Sequence, residues 1–385
     1  MIFLFSLVLV GIVFIKTIEY ISGIPKKTDG NGIMWENTVI YNQEDIKNAN
    51  IQKIQVVEEK IDTNKIEGKE KIKTVYRPQN FEQFIGQENS KEIIKLALYA
   101  SKNRKHPFPH TLLYARPGFG KTTLARIIGN ESGKEVKVIE KIATSFKTPN
   151  DIINAIEETG EGGILFIDEI HSLNPLSLVE FFYPIMEDFQ IHGKYIIPFT
   201  LIGATTEKGE MLRRFKPFVD RFKIQVVFED YTREELITII RNYSKNLFPD
   251  LEIDIEAFKN IAGKARGTPR IAIRLLESCR DYCSCNNLNK VDKALTEEIL
   301  KLYQIYEDGI TKTDIKVLHY LNKSDKPVGL SGIGQFLDTS QANYISEIEP
   351  FLVKQGYILR TPRGRQISEE GKNMLLRVGE NKNEV

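Results

Sequence analysis

The sequence predicts an α/β protein: a parallel-sheet domain, then a helical domain, then a small C-terminal winged helix. Three observations carry this. From His110 onward, short apolar runs alternate with segments of helical spacing. A glycine-bearing turn joins the first run to its helix, and the later runs stop at polar residues. After about residue 311 the pattern becomes helix, helix, then strand–turn–strand. Strands that alternate with helices form a parallel sheet, with the ligand at the strand C-termini.

The chain has 385 residues, enough for two to three domains. With 27% charged and 41% hydrophobic residues it has an ordinary globular composition. The formal net charge is +1, so any nucleic-acid contact must come from a local basic patch. The cysteines are Cys279, Cys283 and Cys285. No histidine or fourth cysteine lies nearby to complete a zinc site, so free thiols are expected, which suits a cytosolic globular part.

The first fifteen residues, MIFLFSLVLVGIVFI, carry no charge. At about 1.5 Å per residue they reach about 22 Å, short of the roughly 30 Å hydrocarbon core. Continuing through Ile18, Tyr20, Ile21 and Ile24 makes a span adequate, with Lys16 snorkelling. The reading is a transmembrane anchor over 1–25, with a cleaved signal peptide or an interfacial helix as alternatives. Lys16, Lys26 and Lys27 follow the run, which keeps the remainder on the cytoplasmic face. Residues 26–74 are polar and read as a tether, with a short strand pair around 34–41 and 51–57.

The nucleotide-binding domain is expected over 75–229. HTLLYA (110–115) reads as a buried strand and KTTLARIIGNES as a helix, with ARPGFGKTT spanning the turn. Gly118 and Gly120 let the backbone approach phosphates at a helix N-terminus. Lys121 would reach the β- and γ-phosphates of ATP and Thr122 would ligate Mg²⁺. Ala115 stands where a glycine is usual, and is tolerable if its φ stays negative. GILFIDEIH supplies a strand that delivers Asp168 toward the metal and Glu169 toward the attacking water. A third strand, FTLIGATT, ends at Thr206, placed to bond the γ-phosphate or that water.

These strings carry a specific resemblance. YRPQNFEQFIGQEN, GFGKTTLARIIGNE, LFIDEIHSLN, YPIMEDFQ, PFTLIGATT, DRF, ARGTPRIAIRLL and LRTPRGR occur in family order. From Tyr76 to about Gly371 the chain resembles the RuvB-type Holliday-junction branch-migration motors of the AAA+ class. The resemblance implies that Tyr76 and Arg77 border the adenine, and that Gly118, Lys121, Thr122 and Thr123 hold the phosphates. It implies further nucleotide contacts from Glu187, Asp188, Phe189 and Tyr231. Thr206 is similar to sensor 1, Arg270 to sensor 2, and Arg221 to the arginine finger that completes a neighbouring subunit's site. A finger acting in trans implies a homo-oligomeric ring, hexameric by resemblance, and such an arginine contributes about 10³–10⁵ in rate.

A helical lid is expected over 230–308, a winged helix over 309–375 and a charged tail over 376–385. Arg360, Arg363 and Arg365 cluster at the wing with no compensating acid in the local sequence. Phosphate contact that positions DNA without reading its sequence is the natural use.

The chain also departs from the family. The family's long hairpin that grips RuvA is reduced to IHGKYII (191–197), which puts a RuvA partner in doubt. The stretch before Arg221 is longer, and Val219 stands where an arginine is usual. Two functions remain open: a motor on duplex or four-way-junction DNA, or a membrane-tethered ATPase remodelling a protein complex. A nucleotide-binding scaffold with negligible turnover is a third.

Overall fold

The structure, a computed structural model, describes residues 76–133, 136–191 and 193–380. The expected anchor at 1–25, the tether to residue 74 and its strand pair lie outside the described residues. Among the described residues no helix is long and apolar enough to cross a membrane.

The ATPase-like part contains α1 (Glu88–Arg104), β1 (Thr111–Tyr114), α2 (Lys121–Ser132), β2 (Val138–Ile142) and α3 (Pro149–Thr159). It continues with β3 (Ile164–Asp168), α4 (Leu176–Asp188), β4 (Gln190–Ile191), β5 (Lys194–Tyr195) and β6 (Thr200–Thr205). It closes with α5 (Lys208–Arg214), α6 (Lys216–Val219) and β7 (Ile224–Val227). Five strands form one parallel sheet in the order β2-β3-β6-β1-β7.

The apolar runs become strands because both of their faces are covered. Leu112, Leu165 and Leu201 point to one core, while Leu113, Phe166 and Ile202 point to the other. That is the two-residue alternation of a pleated strand buried on both sides. Helix starts are marked chemically: Thr148 and Asp151 form a capping box at the head of α3, where Pro149 needs no donor.

The lid comprises α7 (Arg233–Leu247), β8 (Glu252–Ile253), α8 (Ile255–Lys264), α9 (Pro269–Cys285), β9 (Lys290–Val291) and α10 (Lys293–Leu302). Leu236, Ile240, Leu275 and Leu276 join the same core as α1 and α2, so the lid is packed onto one face of the sheet domain. Cys279, Cys283 and Cys285 are free thiols, the first two buried.

The winged helix has its own core around Val317, Leu318, Ile333, Tyr344 and Leu352. Its elements are α11 (Lys312–Asn322), α12 (Leu330–Leu337), α13 (Gln341–Asn343), α14 (Glu349–Lys354), β10 (Ile358–Thr361), β11 (Gly364–Ile367) and α15 (Glu369–Glu380). α15 carries the chain helically past residue 375, where a tail was expected. Arg266 anchors this domain to the lid: it pairs with buried Asp314, donates to the Gly309 carbonyl at 2.8 Å and lies 4.0 Å over the Phe351 ring.

Candidate active site

Strand order assembles the site. β3 and β1 both flank β6, so the turn after β1, the Asp168–Glu169 pair after β3 and Thr206 after β6 sit on neighbouring strand ends. Gly118 and Gly120 have φ of 81° and 95°, the left-handed region where a side chain is strained. A Cβ on Gly118 would also lie 2.6 Å from Arg270 Cβ, which places the lid's Arg270 directly over the loop. Ala115 is outside the positive-φ set, and its N–H donates to the Thr205 carbonyl at 3.1 Å. The alanine is therefore accommodated.

Lys121 is buried at the head of α2, with Thr122 and Thr123 half-buried in its first turn. Its Nζ donates to the Ala115 carbonyl at 2.9 Å. Burial pushes the ammonium pKa down, and the carboxylates of Glu169 and Asp168 oppose that shift. Tyr231, itself buried, donates to the Phe119 carbonyl at 3.0 Å and so braces the loop from the start of the lid.

Glu169 has φ 49° and ψ 46°, a conformation that costs a non-glycine residue about 1–3 kcal/mol and often marks a working site. Gly203 makes room for this turn, since a Cβ there would meet Ile170 Cδ1 at 2.7 Å. Thr206 was expected to face the γ-phosphate or water; here its Oγ1 donates to Glu169 Oε2 at 3.2 Å. His171 Nδ1 approaches the same oxygen at 3.3 Å and Thr205 Oγ1 at 2.9 Å. Neither Thr205 nor His171 is among the residues the motif reading selects, although His171 lies within the quoted GILFIDEIH.

Tyr76 packs edge-on against Tyr243 of α7, with ring centroids 6.5 Å apart, and Arg77 is exposed. Phe189 packs against His110 and Phe199, which precede β1 and β6. Glu187, Asp188 and Phe189 therefore stand at the opposite end of the sheet from the glycine loop. Arg221 pairs with Glu187 at 3.0 Å, donates to the Pro217 carbonyl at 2.6 Å and lies 4.1 Å over the Tyr183 ring. These partners all belong to α4 and α6, not to its own subunit's phosphate loop.

Known proteins share the three-domain organisation. Residues 76–228 match the Holliday junction DNA helicase RuvB P-loop domain, 231–306 the RuvB AAA lid domain and 307–376 the RuvB C-terminal winged helix domain. The Holliday junction branch migration complex subunit RuvB of Prochlorococcus marinus (strain MIT 9215) is 40% identical over 321 residues, 79% of this chain and 88% of that protein. The corresponding subunit of Mycoplasmopsis synoviae (strain 53) is 37% identical, covering 79% of this chain and 98% of that one. The chain belongs to the RuvB family. The Thermotoga maritima RuvB Holliday junction branch migration motor superposes with a TM-score of 0.70 at 36% identity, over 78% of this chain and 97% of that one.

One expectation for the RuvB-family wing is corrected by the fold. The arginines do have a compensating acid: Glu349, fully buried at the start of α14. Arg360 Nε donates to Glu349 Oε1 at 2.8 Å. Arg365 donates to both carboxylate oxygens, at 2.8 and 3.1 Å. Arg360 and Arg365 face each other across the β10–β11 ladder, where like charges repel, and Glu349 relieves that repulsion. Arg363 is exposed at the turn.

Proposed function

We propose that this chain is an ATP-hydrolysing motor acting on four-way-junction or duplex DNA, a reading in line with relatives named as Holliday junction branch migration subunits. The observation that carries the reading is the convergence of Lys121, Asp168, Glu169 and Arg270 around one glycine loop, in a chain that also bears the family's lid and winged helix. Lys121 and the loop N–H groups hold the phosphates, and Glu169 orients the attacking water as general base. Arg270 reports phosphate occupancy to the lid.

The hydroxyl of Thr122 and the carboxylate of Asp168 are hard oxygen donors on neighbouring elements, a set that suits Mg²⁺ completed by phosphate and water. The metal would neutralise charge that develops on the phosphates. Arg221, held on α4 and α6, serves a neighbouring subunit in a hexameric ring. Exposed Arg363, with Arg360 beside it, contacts DNA phosphates. The hairpin is short, pairing Gln190–Ile191 with Lys194–Tyr195 and closed by the Ile196 N–H to the Phe189 carbonyl, so any junction processing proceeds without RuvA or does not occur. The apolar stretch at 1–25 anchors the ring on the cytoplasmic face, so the full chain sediments with membranes and a chain starting near Lys73 does not.

The test is nucleotide binding and hydrolysis by the purified chain. Lys121→Ala loses ATP binding, because its compact ammonium neutralises phosphate charge the backbone cannot. Glu169→Gln keeps binding and loses turnover. Mixing Arg221→Ala with Glu169→Gln protein restores part of the turnover, since mixed rings pair an intact carboxylate with an intact finger. Equal nucleotide affinity in wild type and Lys121→Ala would refute the site, and absence of any mixing rescue would refute the ring.

A further inference from the structure

We infer that His171 is a positioning residue for the Glu169 carboxylate, acting through its Nδ1–H; the inference rests on the ATPase reading above. The hydrogen-bond inventory assigns the tautomer. An ionised carboxylate only accepts, so the 3.3 Å approach of Nδ1 to Glu169 Oε2 is attractive only if Nδ1 carries the proton. Thr205 Oγ1, 2.9 Å from Nδ1, already accepts the Glu207 N–H at 2.9 Å and keeps a second lone pair for the same Nδ1–H. The Nδ1–H is therefore directed to Thr205, with Glu169 Oε2 lying 3.3 Å from the same nitrogen.

This arrangement fixes the carboxylate. Oε2 accepts from Thr206 Oγ1 at 3.2 Å and lies 3.3 Å from the His171 nitrogen, whose N–H dipole attracts it, which leaves Oε1 for a water. The platform under His171 is rigid: Thr205 is fully buried, and its carbonyl accepts the Ala115 N–H at the entry to the glycine loop. The end of β6 thus aligns the carboxylate and the phosphate loop together. The left-handed backbone at Glu169 gives the side chain an unusual exit direction, so its aim depends on these two neighbours. A general base must stand within about 2.6–3.2 Å of the proton it takes, so a small swing is costly.

The two ring nitrogens can be separated experimentally. Asparagine places its amide N–H where Nδ1 lies, whereas glutamine reaches the position of Nε2. ATP turnover and nucleotide affinity are measured on the full chain for wild type, His171→Ala, His171→Asn and His171→Gln, each also combined with Glu169→Gln. His171→Ala and His171→Gln lower kcat by about 10- to 100-fold, at most the lower end of the roughly 10²–10⁴ that a general base supplies. Nucleotide Kd stays within about twofold of wild type, and His171→Asn keeps most of the turnover. In the Glu169→Gln background, His171→Ala adds no further loss in single-turnover hydrolysis, because both changes disable one function.

Equal activity of the Asn and Gln variants overturns the proposal. So does a Kd that weakens in step with kcat, or an additive loss in the double variant. An active wild type with an unimpaired His171→Ala removes the positioning role and leaves the ATPase reading intact. A wild type that turns over no ATP removes both.

Discussion

Arg365 spans both oxygens of Glu349, whereas Arg363, two positions earlier, stands exposed at the turn. Their substitutions therefore have different consequences. Arg365→Ala leaves a fully buried carboxylate with Arg360 alone, and removing one partner of a buried pair costs about 3–5 kcal/mol. With Arg360 still attached, the lower end of that range is expected, read as an earlier unfolding transition of the winged helix in urea. Arg363→Ala leaves folding unchanged, weakens DNA binding for all sequences alike and makes the salt slope shallower by about one unit. The opposite pattern, with Arg363→Ala unfolding the domain and Arg365→Ala only losing DNA, would assign the phosphate contact to Arg365. The basic wing was legible in the sequence because its arginines are close together. Glu349 was not, because it meets them only after α14 folds against the β10–β11 hairpin.

At the level of elements, apolar runs and glycine turns were enough to locate β1, β3 and β6 and the loop at the head of α2. What they could not supply is the strand order β2-β3-β6-β1-β7, which brings Thr205 beside His171. Strand ends also shifted roles: β6 stops at Thr205, so Thr206 turns to Glu169. His110 shows how an element boundary can carry a pH response. It precedes β1, accepts the Leu201 N–H on Nδ1 at 2.8 Å and packs between Phe189 and Phe199. Burial pushes its pKa from 6.5 down to about 4. The folded chain keeps it neutral while the unfolded chain protonates it below about 6.5, so the unfolded state binds more protons in that window. Its contribution is complete above pH 6.5 and is lost as pH falls toward 4, on the order of 3 kcal/mol in all. Urea midpoints measured between pH 7.5 and 4.5 should fall with acid, and His110→Gln should flatten that part of the slope. An identical slope in the variant would assign the acid sensitivity to other groups.

Across the whole molecule, one carboxylate links the phosphate loop to the winged helix. Arg116, within the loop and 4.9 Å over the Phe119 ring, pairs with Asp230, and Asp230 also pairs with Lys354 at the end of α14. α14 begins at Glu349, which holds Arg360 and Arg365, so a continuous path runs from the loop to the wing. Intermediacy alone does not establish coupling; a change in linked affinities does. The Arg116–Asp230 and Asp230–Lys354 pairs are partly exposed and contribute at most about 1 kcal/mol each, which limits the transmitted effect to about fivefold. Linkage requires that effect to be reciprocal. In Asp230→Asn protein, the influence of a non-hydrolysable ATP analogue on DNA affinity and the influence of DNA on nucleotide affinity should shrink by the same factor. Lys354→Ala, which spares the loop's own Arg116–Asp230 contact, should reproduce that shrinkage with intrinsic nucleotide affinity unchanged. Binding titrations in both orders decide it: if the two influences survive in both variants, the ion pairs hold the domains together without passing nucleotide state between them.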